Sequence, residues 1–239
     1  MNAVIAVDAG NTRIKWGVHD GRGWLVQGAL DTVEAGNLAE LAGAWPQDAP
    51  IAVCNVAGAA VESALDACFA ARRGPLRWLR ASAAACGVEN RYERPETLGA
   101  DRWAALIGAR GLVAGACLVV SAGTATTVDL LDADGVFQGG AILPGYELMR
   151  RALAGNTAQL PLAEGRYAEP PRNTQDAIVS GCLHAQAGAI ERLYRQLPAG
   201  APCLLTGGAA PLLADRLDLP LRRVDNLVLE GLRRYAGAI

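Results

Sequence analysis

The sequence predicts an α/β fold made of two related halves, each a mixed sheet flanked by helices, and three observations carry that prediction. The first is Val4-Ile-Ala-Val-Asp8-Ala-Gly-Asn-Thr12-Arg-Ile-Lys15, an apolar β-branched run of strand length, then a glycine turn, then a second strand. The second is its partial echo at Leu118-Val-Val-Ser121-Ala-Gly-Thr-Ala-Thr126. The third is that each is followed by an Asp-Gly hairpin turn and a returning strand, at Asp20-Gly21 and Asp134-Gly135. The halves are expected at residues 1–115 and 116–239.

The two glycine turns suggest the chemistry. A glycine there permits positive φ, and a turn whose backbone N–H groups face outward is a concavity suited to anionic oxygens such as those of phosphate. Asp8 is misplaced beside bare phosphate, because like charges repel, unless a divalent cation lies between them. The first turn therefore predicts a metal-bound nucleotide. No Walker A motif occurs anywhere in the chain.

Between and after the turns the elements follow in order. Residues 34–44 have helical spacing and stop at Trp45-Pro46; 51–56 is an apolar strand; 59–72 is a helix closed by Arg72-Arg73-Gly74; 76–80 is a strand. Tyr92 to Gly99 is polar and contains Pro95, hence loop, and a packed helix begins at Asp101. In the second half, strand 117–121 precedes the second hairpin, Gly139 to Gly145 ends a strand, and 146–154 is a helix. Residues 156–171 read as loop. A long helix then runs to about Leu197, with Asn173 or Thr174 as its N-cap. On it Gly181, Ala185, Gly188 and Ala189 form a small-residue face that suits close helix packing or a subunit contact. Residues 203–206 read as the last strand, ending in Gly207-Gly208, and 227–235 as a closing amphipathic helix.

Bulk composition excludes several classes. Charged residues are 19% of the chain and the net charge is −2, so no field favours nucleic acid or an anionic membrane, and an anionic ligand must be captured locally. The six cysteines form no C-x-x-C pair, which favours a reducing cytoplasm over a disulfide or zinc framework. The N-terminus enters a strand with no basic leader, and no apolar run is long enough to span a membrane. Lys15 is the chain's only lysine.

Asp101 and Arg102 stand out at the start of their helix, where the dipole favours the acid but not the guanidinium. Four motifs then fall in order: Asp8-x-Gly-Asn-Thr12; Tyr92 followed by Pro95 and Leu98-Gly-Ala-Asp-Arg102; Gly123-Thr-Ala-x-Thr127; and Gly139-Gly-Ala-Ile-Leu-Pro-Gly145. Over essentially the whole chain they resemble the type III pantothenate kinases. These are a compact branch of the acetate kinase, sugar kinase, Hsp70 and actin superfamily. The resemblance implies two ribonuclease-H-like (actin-like ATPase) halves around an interdomain cleft, a cytoplasmic homodimer, and phosphorylation of pantothenate by ATP in the first step of coenzyme A synthesis.

By the same resemblance Asp8, Ala9, Gly10, Asn11, Thr12, Arg13, Ile14, Lys15, Gly123 and Thr124 contact the ATP phosphates, with Asp8 near Mg2+, directly or through water. Asp101 is the general base. Arg102 pairs with the substrate carboxylate, and Tyr92, Gly99, Ala100 and Thr174 complete the pantothenate pocket. Gly207-Gly208 reads either as an ordinary strand-to-helix turn or, by the resemblance, as the counterpart of a pair that lies against adenosine elsewhere in the superfamily. One departure is Ser121, where family members commonly carry an aspartate that helps bind potassium or ammonium; serine leaves a degenerate monovalent-cation position. Asp129 reads as an exposed strand residue, with compensation for Ser121 as the other possibility. Two further readings stay open here: a kinase of another small hydroxy acid or sugar, and a nucleotide-binding regulatory protein with reduced turnover.

Overall fold

Complete burial of Ile5, Ala6, Val7 and Ala9 makes the first apolar run a central strand, not an amphipathic one. The computed structural model describes residues 3–157, 160 and 162–238, which form two compact units, one of residues up to 114 together with 226 onward, the other of residues 115–225.

In the first unit β1 (Val4–Ala9), β2 (Arg13–His19) and β3 (Trp24–Asp31) form an antiparallel meander, followed by a 3-10 turn (Thr32–Asn37) and a short α1 (Leu38–Ala42). Then come β4 (Ile51–Asn55), α2 (Ala59–Phe69) and β5 (Leu76–Trp78), both strands parallel to β1, giving the order β3-β2-β1-β4-β5. Trp16, Leu38, Trp45, Leu65 and Phe69 fill the space between this sheet and its helices. A small hairpin, β6 (Ala84–Ala85) and β7 (Val88–Asn90), leads through a proline-started 3-10 turn into α3 (Ala100–Leu112).

The second unit repeats that plan. β8 (Cys117–Ala122), β9 (Ala125–Leu131) and β10 (Val136–Pro144) form an antiparallel meander, followed by α4 (Tyr146–Asn156) and α5 (Thr174–Tyr194). β11 (Cys203–Thr206), α6 (Ala210–Ala214) and β12 (Leu221–Arg223) complete it, with β11 parallel to β8 and to β12. Strand order within the unit is therefore β10-β9-β8-β11-β12, the first unit's order with the same senses. α5 buries Ile178, Val179, Leu183 and Ile190 in the core beneath this sheet, and leaves Gly181, Ala185 and Gly188 exposed.

The chain then returns to the first unit with α7 (Leu227–Gly237), which packs on α3 and β1. The helices touch backbone to backbone: a Cβ at Gly108 would meet the Gly231 nitrogen at 3.1 Å, and one at Gly231 would meet the Ala104 carbonyl carbon at 2.6 Å. This contact fixes the helix that carries Asp101.

Several local expectations change. Residues 32–37 form a 3-10 turn, and only 38–42 of the expected helix is α. β6, β7, α6 and β12 were not foreseen, so β11 is not the last strand. Arg72 and Arg73 do not close α2. Arg72 Nη1 donates to the Ala42 carbonyl at 2.9 Å and Arg73 pairs with Asp48 at 2.7 Å, while Gly74 is needed because a Cβ would press on Ala49's backbone. Asp129 is buried, not exposed, with β10 crossing so closely that a Cβ at Gly140 would lie 3.0 Å from its Cα. Of the loop expected at 156–171, Ala158, Gln159 and Pro161 lie outside the described residues, as do Met1, Asn2 and Ile239.

Candidate active site

The β1–β2 turn is held by a hydrogen bond from the Gly10 N–H to the Arg13 carbonyl, 3.1 Å. Gly10 does not take positive φ, contrary to expectation; glycine is favoured because a Cβ would sit 3.1 Å from the Arg13 oxygen. Asn11, Thr12 and Arg13 are exposed, so the crown of the turn faces outward. Thr32, the first residue of the 3-10 turn after β3, braces it from behind: its hydroxyl donates to the Gly10 carbonyl at 2.6 Å and its N–H to the Thr12 carbonyl at 3.0 Å.

Just before the turn, half-buried Asp8 is flanked in the sheet by Lys15 on β2 and Cys54 on β4. The Cys54 thiol donates to Asp8 Oδ1 at 3.4 Å. Burial, and then the negative charge of Asp101, push the Asp8 carboxyl up to about 6; Lys15 and the Cys54 hydrogen bond pull the other way. The same burial and the two carboxylates raise the Cys54 thiol well above its ordinary value, so it stays protonated and able to donate. Asp8 and Asp101 thus belong to one electrostatic neighbourhood in the first unit.

Asp101 lies in the first turn of α3, after Gly99 at the N-cap. Its Oδ1 accepts the Arg102 N–H at 2.8 Å, and a Cβ at Gly99 would sit 2.8 Å from that oxygen. Glycine at 99 therefore makes room for the carboxylate. Arg102 is buried, not a solvated surface charge. Its Nη1 donates to the Tyr92 hydroxyl at 2.8 Å, and its guanidinium lies 5.6 Å from the Tyr92 ring centroid. Tyr92 is oriented by a residue the sequence reading missed: buried Asn90, whose Oδ1 accepts the Tyr92 N–H at 3.1 Å while its Nδ2 donates to the Pro95 carbonyl at 3.1 Å. Pro95, three residues after the N-x-Y at 90–92, was the available signal, since a polar loop that tight needs an internal anchor.

The corresponding turn of the second unit is one residue tighter, with the Gly123 N–H donating to the Ala125 carbonyl at 3.0 Å. Gly123 and Thr124 are exposed and Ser121 is half-buried. Two glycines close on the turn's backbone. A Cβ at Gly145 would lie 2.5 Å from the Thr124 oxygen, and one at Gly207, whose φ is +99°, would lie 2.6 Å from the Ala122 carbonyl carbon. Gly207 is thus required within the protein itself, while Gly208 has open space. Thr174 is exposed at the start of α5, whose cap is Asn173, accepting the Asp176 N–H at 2.9 Å. Among the described residues no group of three or more His, Cys, Asp or Glu side chains could hold a metal ion alone, and no helix is long and apolar enough to cross a membrane.

A duplicated β-meander with two parallel strands, each unit opening on a glycine turn, is the actin-like ATPase fold shared by many small-molecule kinases. Solved structures agree: a conserved Campylobacter jejuni protein assigned to the Baf family of transcriptional activators has TM-score 0.66 at 20% identity, covering 98% of each chain. The ethanolamine utilization protein EutJ of Carboxydothermus hydrogenoformans has TM-score 0.60 at 15% identity, covering 98% of this chain and 90% of that one. At such identities the likeness concerns the fold alone. The family is shown by sequence. A type III pantothenate kinase model matches residues 4–196. The chain is 59% identical to the type III pantothenate kinase of Aromatoleum aromaticum, covering 96% of each, and 52% identical to that of Dechloromonas aromatica, covering 98% of each. The chain belongs to the type III pantothenate kinases, and its activity is the ATP-dependent phosphorylation of pantothenate in coenzyme A synthesis.

Proposed function

We propose that the reaction is carried by the Asp8 and Asp101 neighbourhood of the first unit, and the observation that supports this is the upward displacement of the Asp8 carboxyl by burial and by Asp101. A carboxyl whose ionisation is made costlier by burial and by a second carboxylate nearby fits a site that works with a divalent cation, and Asp8 is the residue that would hold Mg2+ there. The ion supplies charge neutralisation for the phosphates. Residues 8–15, with Gly123 and Thr124 of the second unit, are the proposed phosphate contacts.

Arg102 is the proposed partner of the pantothenate carboxylate, for which a planar fork that is already buried and oriented is suited. Tyr92, Gly99, Ala100 and Thr174 are its proposed neighbours in substrate binding. With the hydroxyl of pantothenate aligned, Asp101 accepts its proton as the oxygen bonds to the γ-phosphorus and the bond to ADP breaks. Since phosphoryl transfer depends mainly on alignment and charge, a well-positioned carboxylate suffices.

Ser121 supports a weak monovalent-cation site, because a neutral hydroxyl replaces an anionic ligand. We further place the enzyme in the cytoplasm as a homodimer, with the two actin-like halves dividing near residue 115. The experiment is a coupled assay of ATP–Mg2+ and pantothenate with the Asp101→Asn variant: turnover is lost while ATP binding persists. Undiminished turnover in that variant would remove Asp101 as the base.

A further inference from the structure

We propose that Thr32 is a positioning residue for nucleotide binding, which aims the backbone N–H of Asn11 at the phosphates; this rests on the reading of residues 8–15 as the phosphate-binding turn. The Thr32 hydroxyl donates to the Gly10 carbonyl at 2.6 Å, and the Thr32 N–H donates to the Thr12 carbonyl at 3.0 Å. In a planar trans peptide the carbonyl and the following N–H point in opposite directions. Drawing the Gly10 oxygen toward Thr32 therefore turns the Asn11 N–H away from it, toward the side where Asn11, Thr12 and Arg13 are exposed.

The second effect is electrostatic. A carbonyl oxygen left facing the phosphates would repel them, whereas here the oxygens of both peptides are engaged on the protein side. The Gly10 N–H to Arg13 carbonyl bond closes the turn, so one threonine at the start of the 3-10 segment fixes both peptides that flank its crown. Thr32 touches neither substrate in this arrangement. Its influence passes through the Gly10–Asn11 peptide, and it should alter nucleotide affinity alone.

The test uses Thr32→Val, which keeps the shape and the backbone bond to Thr12 and deletes only the hydroxyl, beside Thr32→Ser, which restores a donor. For Thr32→Val the KM for ATP and the calorimetric Kd for ADP–Mg2+ should rise about tenfold, the loss of roughly one oriented hydrogen bond, with the KM for pantothenate unchanged. Thr32→Ser should return both values to near those of the natural chain. Equal rises in both KM values, or no rescue by serine, would mark Thr32 as merely structural and overturn the proposal. Thr12→Val separates this from the underlying reading. If Thr12→Val weakens ADP–Mg2+ binding and Thr32→Val does not, only the role of Thr32 falls. If neither does, the turn is not the phosphate site.

Discussion

The two units share a strand order and sense, yet their opening turns differ at every ladder position that bears on chemistry. In the first, Asp8 stands between Lys15 and Cys54 on the neighbouring strands; in the second, Ser121 stands between Thr127 and Thr206. Side chains paired across strands share a face, so an acid, a base and a thiol in one unit are replaced by three hydroxyls in the other. The first turn is open at its crown and braced from behind by Thr32, while the second is one residue shorter and sealed by the backbones of residues 145 and 207. One sheet plan thus carries a turn with charged ladder neighbours and one with neutral ones, and the difference lies in a few residues paired across the strands.

The largest break in this comparison should come from the acid at the start of α3, Asp101. Asp101→Asn is expected to lower kcat by about 10²–10⁴-fold, the range for a positioned general base, with the Kd for ATP within about twofold of the natural chain. Single-turnover kinetics beside calorimetry would check it. A parallel loss of ATP binding would mean that Asp101 organises the nucleotide and not the proton transfer.

Next is rigidity. Gly145→Ala forces a Cβ against the carbonyl oxygens of Gly123 and Thr124, whereas Gly10→Ala meets a single backbone oxygen at 3.1 Å, which would need to shift by only a few tenths of an ångström. The expected destabilisation is about 2–4 kcal/mol for the first and under about 1 kcal/mol for the second, read from denaturant melts. Similar values for the two would show that the second turn is no stiffer than the first.

These contrasts also show what the sequence could convey. The β-branched runs, the Asp-Gly hairpins and the helical spacing from Asp101 to Ala109 are local signals, and the strands and helix they specify form. The echo of Asp8-x-Gly in Ser121-x-Gly was enough to imply two halves, because register follows from alternation and turn type. The pairing of Arg102 with Tyr92, the support of Tyr92 by Asn90 and the bracing by Thr32 were not legible, since each joins residues whose spacing has no period. Return of α7 to the first unit was hidden for the same reason: only Gly108 and Gly231, far apart in sequence, mark the crossing. The glycine at position 10 was foreseen for the wrong reason, a positive φ that it does not adopt.

The acid at position 8 offers a smaller, opposite-signed test. Its folded pKa of about 6 lies above the ordinary aspartate value of 3.8, so folding favours the protonated form. Stability from this group is fully present below about pH 4, falls as pH rises through 6, and stays low above it. Asp8→Asn should therefore raise the stability of the metal-free protein at pH 8 by on the order of 1–2 kcal/mol, the partial exposure of the residue trimming the full linkage value, and have little effect at pH 4. The same variant should lose Mg2+-dependent turnover. Thermal melts at the two pH values check the first statement, and a variant less stable at pH 8 would show that the carboxylate is already well compensated by Lys15 and Cys54.

The smallest effect is expected where the second turn is made to resemble the first. Ser121 is half-buried and stands between two threonines, so aspartate there would bring a charge into a setting of hydroxyl oxygens with no lysine opposite. Such a carboxylate is costly unless a cation joins it, and neutral oxygens around one anionic ligand suit a large monovalent ion. Ser121→Asp should therefore activate more steeply with potassium or ammonium than the natural chain, by a few-fold at saturating salt, and be slightly less stable in their absence, by under about 1 kcal/mol. A potassium titration of both proteins at constant ionic strength reads this directly. Steep activation of the natural chain, matched by the variant, would mean that the hydroxyls already suffice and that the neutral character of the second turn has no bearing on the cation.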